Sequence, residues 1–204
     1  MTLPALTLAA MRLTVIAILM SALITSTCLA QEVPVFVITP VESSIKFNVS
    51  ASVTIAGTFD KWNATLTFAS PDVTTAVLNV DIQAATVDTG SGLKDGKLKG
   101  PDFFDVVDNP LITFRSTKVA QTGPNTFEVD GNFTIRGVTR AETLTLTLSG
   151  KGTGSGEIKG TLYFDRKDYG MNSGIPFIRI ADRVEVNVAL KGQRVSGPPV
   201  VFQQ

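Results

Sequence analysis

Asp95, Asp102 and Asp105 lie close together in the sequence. A carboxylate cluster of this kind suits acid–base work or a bound metal ion. Calcium needs six or more oxygens in a compact loop, and this spacing matches no such loop. Capping and turn formation is the preferred reading of the three. Arg136, with Gly137-Val-Thr139 behind it, has the look of an anion site, but Gly137 reads better as a hairpin turn with Arg136 paired to a surface acid. Arg166, Asp168 and Tyr169 stand where a strand runs into a glycine-containing loop, a place where barrels put binding groups. An Arg166–Asp168 pair tying that loop to a rim is the structural alternative, and the favoured one.

Two absences narrow the chemistry. The chain has no histidine, and its single cysteine is Cys28. Outside the leader there is then no thiol nucleophile, disulfide, Ser-His-Asp triad or ordinary zinc site. No metal site, cofactor or catalytic residue is expected. Eighteen basic residues face eighteen acidic ones, which argues against nucleic acid or an anionic membrane surface as the main partner.

Phe103 and Phe104 are adjacent aromatics between Asp102 and Asp105. Neighbours in a strand point to opposite faces, so this reads as a helical turn, with Asp102 as N-cap and Asn109-Pro110 as the stop. The strand from Leu111 follows. The two rings fit two roles, lining a cavity mouth or anchoring a helical segment to a barrel rim.

The elements that must position these residues come after an expected leader. Leu13 to Leu29 is apolar, Met11-Arg12 precedes it, and Cys28-Leu29-Ala30 suits cleavage after Ala30. Residues 1–30 are therefore expected to be a signal peptide, with Met1 or Met11 as the start. A retained anchor is the alternative, although the run is short for a span. Thr25-Ser-Thr27 makes a poor lipoprotein signal. About 174 residues remain, the size of one domain. Residues 31–196 are expected to form it, with 197–204 as an extended or mobile tail.

From about residue 43 the periodicity is two. Ile45, Phe47 and Val49 alternate with Lys46 and Asn48; Phe127, Val129, Gly131, Phe133 and Ile135 alternate with Glu128, Asp130, Asn132 and Thr134. Such segments are half-buried strands. Eight are expected, at about 43–55, 58–69, 73–84, 110–121, 125–136, 139–151, 155–166 and 182–193, joined by short turns such as Ala56-Gly57 and Gly137. A helical insertion ends at Gly100-Pro101. Long antiparallel strands with one apolar face prefer to close, which removes sheet edges. An eight-stranded barrel has room inside for side chains or one small ligand. Phe47, Phe68, Phe114, Phe133 and Phe164 are large enough to fill it. Val49, Val80, Gly131 and Gly160 leave room, and a ligand-holding cavity is the preferred outcome. An outer-membrane barrel would reverse the faces, but one Trp and two Tyr cannot form two aromatic girdles.

Four segments together resemble one family. They are Thr86-Val-Asp-Thr-Gly90 through Asn109-Pro-Leu-Ile-Thr-Phe114; Gly131-Asn-Phe-Thr-Ile-Arg-Gly-Val-Thr139; Arg166-Lys-Asp-Tyr-Gly170 with Asp182-Arg-Val-Glu-Val-Asn-Val188; and the opening Ser44-Ile-Lys-Phe-Asn-Val49 with Gly57-Thr-Phe59. In this order and spacing they resemble the YceI-like family of bacterial periplasmic proteins, over about 43–192. The resemblance implies an all-β, extended eight-stranded antiparallel lipocalin-like barrel in the periplasm. It implies binding of a long apolar molecule, typically a polyisoprenoid such as a polyprenyl pyrophosphate or a quinone tail, in some members a fatty-acid derivative, and no catalysis. The family often has His-Ser where this chain has Ser43-Ser44, and Arg-Asp-x-His-Leu where it has Lys94-Asp-Gly-Lys-Leu98. Lys94 and Lys97 remain able to meet a phosphate as point charges, without arginine's bidentate fork.

The expected lining or mouth is thus Phe47, Val49, Phe68, Leu78, Val80, Ile82, Phe103, Phe104, Phe114, Phe133, Ile135 and Phe164. The expected head-group contacts are Lys94, Lys97, Arg166 and Tyr169. An isoprenoid or other apolar lipid is the expected partner, with no nucleic acid and no membrane span after leader cleavage; a homodimer stays open. The competing readings are an envelope-stress or structural protein with a filled barrel, and a carboxylate enzyme acting on a lipid.

Overall fold

The structure, a computed structural model, describes residues 32–52, 54–174 and 179–203. The expected leader lies outside the described residues. Period-two segments produce strands as anticipated, but the described residues form eleven rather than eight. They are β1 (Val35–Ile38), β2 (Ser44–Ala51), β3 (Ile55–Phe59), β4 (Trp62–Phe68), β5 (Ala76–Gln83), β6 (Val87–Asp88), β7 (Leu111–Gln121), β8 (Thr126–Ile135), β9 (Val138–Ser149), β10 (Ser155–Asp165) and β11 (Ile180–Ser196). One helix, α1 (Gly92–Lys99), stands between β6 and β7 and stops at Gly100.

The added strands have identifiable origins. β1 is a four-residue strand too short to show alternation, and β6 has only two residues. The expected turn at Ala56-Gly57 lies inside β3, paired with Asn48 and Phe47 of β2. Gly57 is there for close approach: a Cβ on it would lie 2.6 Å from the Phe47 ring. The turn at Gly137 is as expected. Arg136 and Gly137 have φ of 53° and 74°, the left-handed pair that a two-residue hairpin between twisted strands requires.

All strand pairs are antiparallel, in the order β4-β5-β7-β8-β9-β10-β11-β2-β3-β6, with β1 on β11. The sheet curls into an open half-barrel. Its two ends are not joined by a continuous ladder, so the expected eight-stranded closure is not what forms. Instead β3 runs into β4 through Asp60-Lys61, and the chain itself links the two ends. At the far end β1 lies against β4 through Phe36 and Phe68, whose ring centroids are 5.7 Å apart.

The inward face carries the core, including Ile45, Leu78, Val129, Ile135, Leu144, Leu162 and Leu190. The tail, expected to be extended or mobile, is tied down. Val201 donates to Pro71 O at 2.8 Å, its carbonyl accepts from Val73 N at 2.9 Å, and Gln203 exchanges two hydrogen bonds with the Gln121 side chain. Among the described residues, no helix is long and apolar enough to cross a membrane.

Candidate functional site

Among the described residues two apolar chambers stand out inside the half-barrel, one at each end. The helix-side chamber, about 70 Å³, lies beneath α1 and the turns after it. The tail-side chamber, about 140 Å³, lies beneath the C-terminal segment.

Local sequence explains how α1 is held over its chamber. Asp95 accepts from Thr89 N at 2.9 Å and Thr89 Oγ1 at 2.6 Å, fastening the helix to the end of β6. The Thr89 hydroxyl holds the Asp95 carboxyl below the usual carboxylate range. After Gly100 the chain doubles back: Phe103 N donates to Gly100 O at 3.1 Å and Phe104 N to Leu98 O at 2.9 Å. These turns drive both rings inward. Phe104 meets Phe47 edge-on at 6.4 Å and Phe59 at 5.8 Å. The two roles open for this pair coincide, since both residues line the chamber while Phe104 also packs into the core. Asp102 does not cap a helix; its carboxylate pairs with Lys97, whose hydrogen bond lowers its pKa. Asp105 accepts from the Asn109 side chain at 3.1 Å. The three acids are thus engaged locally and share no common ligand position.

Of the expected lining, Phe47, Val49, Ile82, Phe103, Phe104, Phe133, Ile135 and Phe164 line the helix-side chamber, as do Lys94, Lys97 and Arg166. Phe68 and Leu78 line the tail-side chamber. Val80, Phe114 and Tyr169 line neither. Their reasons differ. Val80 lies between Leu78 and Ile82 on β5, and Phe114 between Ile112 and Val119 on β7, so both fall between the chambers. There the barrel is filled. A Cβ on Gly131 would lie 2.5 Å from the Phe114 ring, and one on Gly160 would meet Leu146 and lie 2.9 Å from Val188. The expectation that Gly131 and Gly160 leave room is corrected: each glycine is a seat for a neighbouring side chain, and together they make a packed waist.

Tyr169 is fully buried against Phe133 at 5.8 Å and Phe164 at 5.2 Å, and its hydroxyl donates to Glu142 Oε1 at 3.0 Å. That hydroxyl is engaged with a protein carboxylate rather than facing a chamber. Burial pushes the Glu142 carboxyl upward, and burial with the Glu142 bond pushes the Tyr169 phenol well above its usual value. Arg166 is also buried, but its carboxylate partner is Asp182 at 3.1 Å, not Asp168. It also donates to the carbonyls of Met171, Ser173 (2.9 Å) and Ala181 (3.2 Å), fixing the loop after β10 to the start of β11. Arg136 donates to Gly170 O at 2.5 Å instead of pairing with an acid, and its Nε is buried without a hydrogen-bond partner. At the helix-side chamber the Lys97 and Arg166 charges are compensated by Asp102 and Asp182. Lys94 makes no ion pair among the described residues.

Sequence reasoning missed Ile55, Phe59, Leu98, Met171, Ile180 and Val184 in the helix-side lining. It missed most of the tail-side chamber, including Phe36, Val119, Phe127 and Phe202. The apolar Val200-Val-Phe202 run after two prolines was the available signal.

The fold and its chambers define a small all-β protein with an apolar, two-chambered interior. The YceI-like domain model matches residues 36–192, and the chain belongs to the YceI-like family. It is 34% identical over 98 residues to a UPF0312 protein of Pseudomonas savastanoi pv. phaseolicola, covering 48% of this chain and 51% of that one. It is 35% identical over 96 residues to Protein YceI of Salmonella arizonae, covering 47% and 50%. The chain thus spans about half the length of the curated relatives it matches. Among solved structures, Burkholderia cenocepacia BcnA superposes with a TM-score of 0.69 at 24% identity, covering 76% of this chain and 99% of that one. A polyisoprenoid binding domain from Saccharophagus degradans, implicated in plant cell wall breakdown, gives 0.62 at 15% identity, covering 79% and 99%. At these identities both likenesses are likenesses of fold.

Proposed function

We propose that this protein binds a long-chain apolar lipid, an isoprenoid, in the helix-side chamber, and does so in the periplasm after loss of its leader. The observation that carries the reading is the chamber beneath Phe103 and Phe104. Its walls are apolar, and α1 with its turns forms a local cover that can move without breaking the strand ladders. Lys94, without a carboxylate partner among the described residues, offers a point charge to a phosphate or other polar head at the mouth. Apolar burial supplies the affinity, at about 25 cal/mol per Å² removed from water before ordering costs. Family membership and the polyisoprenoid-binding neighbour support the ligand class. At about 70 Å³ the chamber is smaller than a long prenyl chain, so loading requires the cover or the waist to give way.

The packed waist favours a second reading, a barrel filled in its middle that serves an envelope-stress or structural role. Denaturing extraction of protein purified from its native host, followed by mass spectrometry, separates the two. A stoichiometric prenyl lipid is expected; several preparations with no extractable lipid would select the filled barrel.

A further inference from the structure

The tail-side chamber is the larger of the two, and it has its own cover and its own charge. Among its described lining residues the only charged ones are Lys151 and Arg194, and none carries a carboxylate. Neither cation makes an ion pair among the described residues. Lys151 Nζ bonds the Pro124 carbonyl and stands 4.0 Å from the Phe202 ring centroid, and Arg194 donates to Gly197 O at 2.5 Å. Both cations therefore rest on backbone carbonyls or an aromatic face, partners that a carboxylate outcompetes. Their contacts also hold the segment 197–203 across the chamber. Phe202 packs on Phe127 at 6.2 Å and, with Val200, is part of the chamber wall. The segment is tied down by single backbone bonds at Val201 and by Gln121, without a ladder of its own. It begins beyond residue 192, where the match to the family model ends.

An apolar chamber with two cations at its rim, unpaired among the described residues, is complementary to a small anionic amphiphile. We propose that the tail-side chamber is a second binding site, for a short-chain aliphatic carboxylate, and that segment 197–203 is the strap that must lift to admit it. A cavity near 150 Å³ takes a ligand of about benzene size, and the space left when the Phe202 ring lifts out extends it to a chain of about eight carbons but not to a long prenyl chain. The carboxylate meets Lys151 and Arg194 as the alkyl end replaces the contacts of Phe202. This site is separated from the helix-side chamber by the waist and does not depend on the function proposed above.

Octanoate and its neutral counterpart 1-octanol are titrated calorimetrically into the protein. One octanoate per chain is expected. Lys151→Gln weakens octanoate about tenfold, the worth of one charge-assisted hydrogen bond, and leaves octanol unchanged. A strap lock tests the route. Asp72 and Val201 are bridge partners, roughly 5 Å apart at Cα, within disulfide reach. In a Cys28→Ser background, Asp72→Cys with Val201→Cys should bind octanoate when reduced and not when oxidised. Equal binding by the two forms, equal weakening of both ligands by Lys151→Gln, or no octanoate binding overturns the proposal. Val49→Phe, which narrows only the helix-side chamber, separates the two sites. It should abolish farnesol binding and spare octanoate; loss of octanoate would assign it to the helix side and refute the second site, whereas unchanged farnesol binding would count against the lipid reading alone.

Discussion

The packed waist makes a quantitative prediction through a pair of residues, Phe114 and Gly131. The Phe114 side chain is buried and its ring occupies the space above Gly131 on the neighbouring strand. Phe114→Ala removes that ring and should cost about 3–5 kcal/mol. For a domain of this size each kcal/mol moves Tm by about 2–4 °C, so the midpoint should fall by roughly 6–20 °C. Gly131→Ala places a methyl 2.5 Å from the ring and 2.8 Å from Arg115 O, an overpacking that costs about 1–3 kcal/mol. In the double variant the ring is gone and only the carbonyl contact remains. The second substitution should then cost at least about 1 kcal/mol less than it does alone, within the range of coupling seen for residues in contact. Reversible urea unfolding of all four proteins, followed by circular dichroism, measures the cycle. Additivity within about 0.5 kcal/mol would show that ring and glycine do not share one space, and the packed waist would be wrong.

The remaining predictions concern a half-buried acid and the helix-side chamber. Glu142 is held with its pKa raised by burial, so the native state favours its protonated form. Its stabilising protonation is complete below the unfolded value, about 4.3, and is lost as pH rises through the higher folded value. Between pH 7 and 4.5 the wild type should gain stability relative to Glu142→Gln, whose amide still accepts from Tyr169; parallel stability–pH curves would contradict this. Val49→Phe should lower the yield of co-purified lipid several-fold while leaving strand content by circular dichroism unchanged. Full lipid loading in that variant would place the ligand elsewhere.

The strands were legible where alternation ran long enough to fix parity. Ile45, Phe47, Val49, Val129, Phe133 and Ile135 all point inward as their spacing requires. Alternation tells only which residues face the interior, not what volume their neighbours across the ladder claim. Gly131 and Gly160 therefore read as space although Phe114, Leu146 and Val188 fill it. The β2–β3–β4 path misled for a related reason. A glycine usually marks a turn, but Gly57 admits a cross-strand ring, which looks the same in one dimension. For the site, the aromatic pair at Phe103-Phe104 was legible because adjacent aromatics fit no strand. Tyr169 was misassigned because its partner, Glu142, lies on another strand and has no local signature. The sequence leaves the tail as either extended or mobile, because the bonds that tie it down, to Pro71, Val73 and Gln121, come from distant residues.

The place of β11 in the sheet has a consequence for how the molecule comes into being. β11 pairs with β10, β2 and β1, and Lys191 N reaches Ser43 Oγ across 148 residues of chain. While a ribosome is still making the first ten strands, β1 has no partner strand at all and β2 has only β3. β1 and β2 can join the β4–β10 strands only after residues 180–196 have emerged, so the slow, long-range step comes last. A nascent chain of this design can pair β4 through β10 in order, but β1, β2 and the exposed edge of β10 stay without their β11 partner until it is nearly finished. Those unpaired edges are exposed to aggregation until β11 arrives.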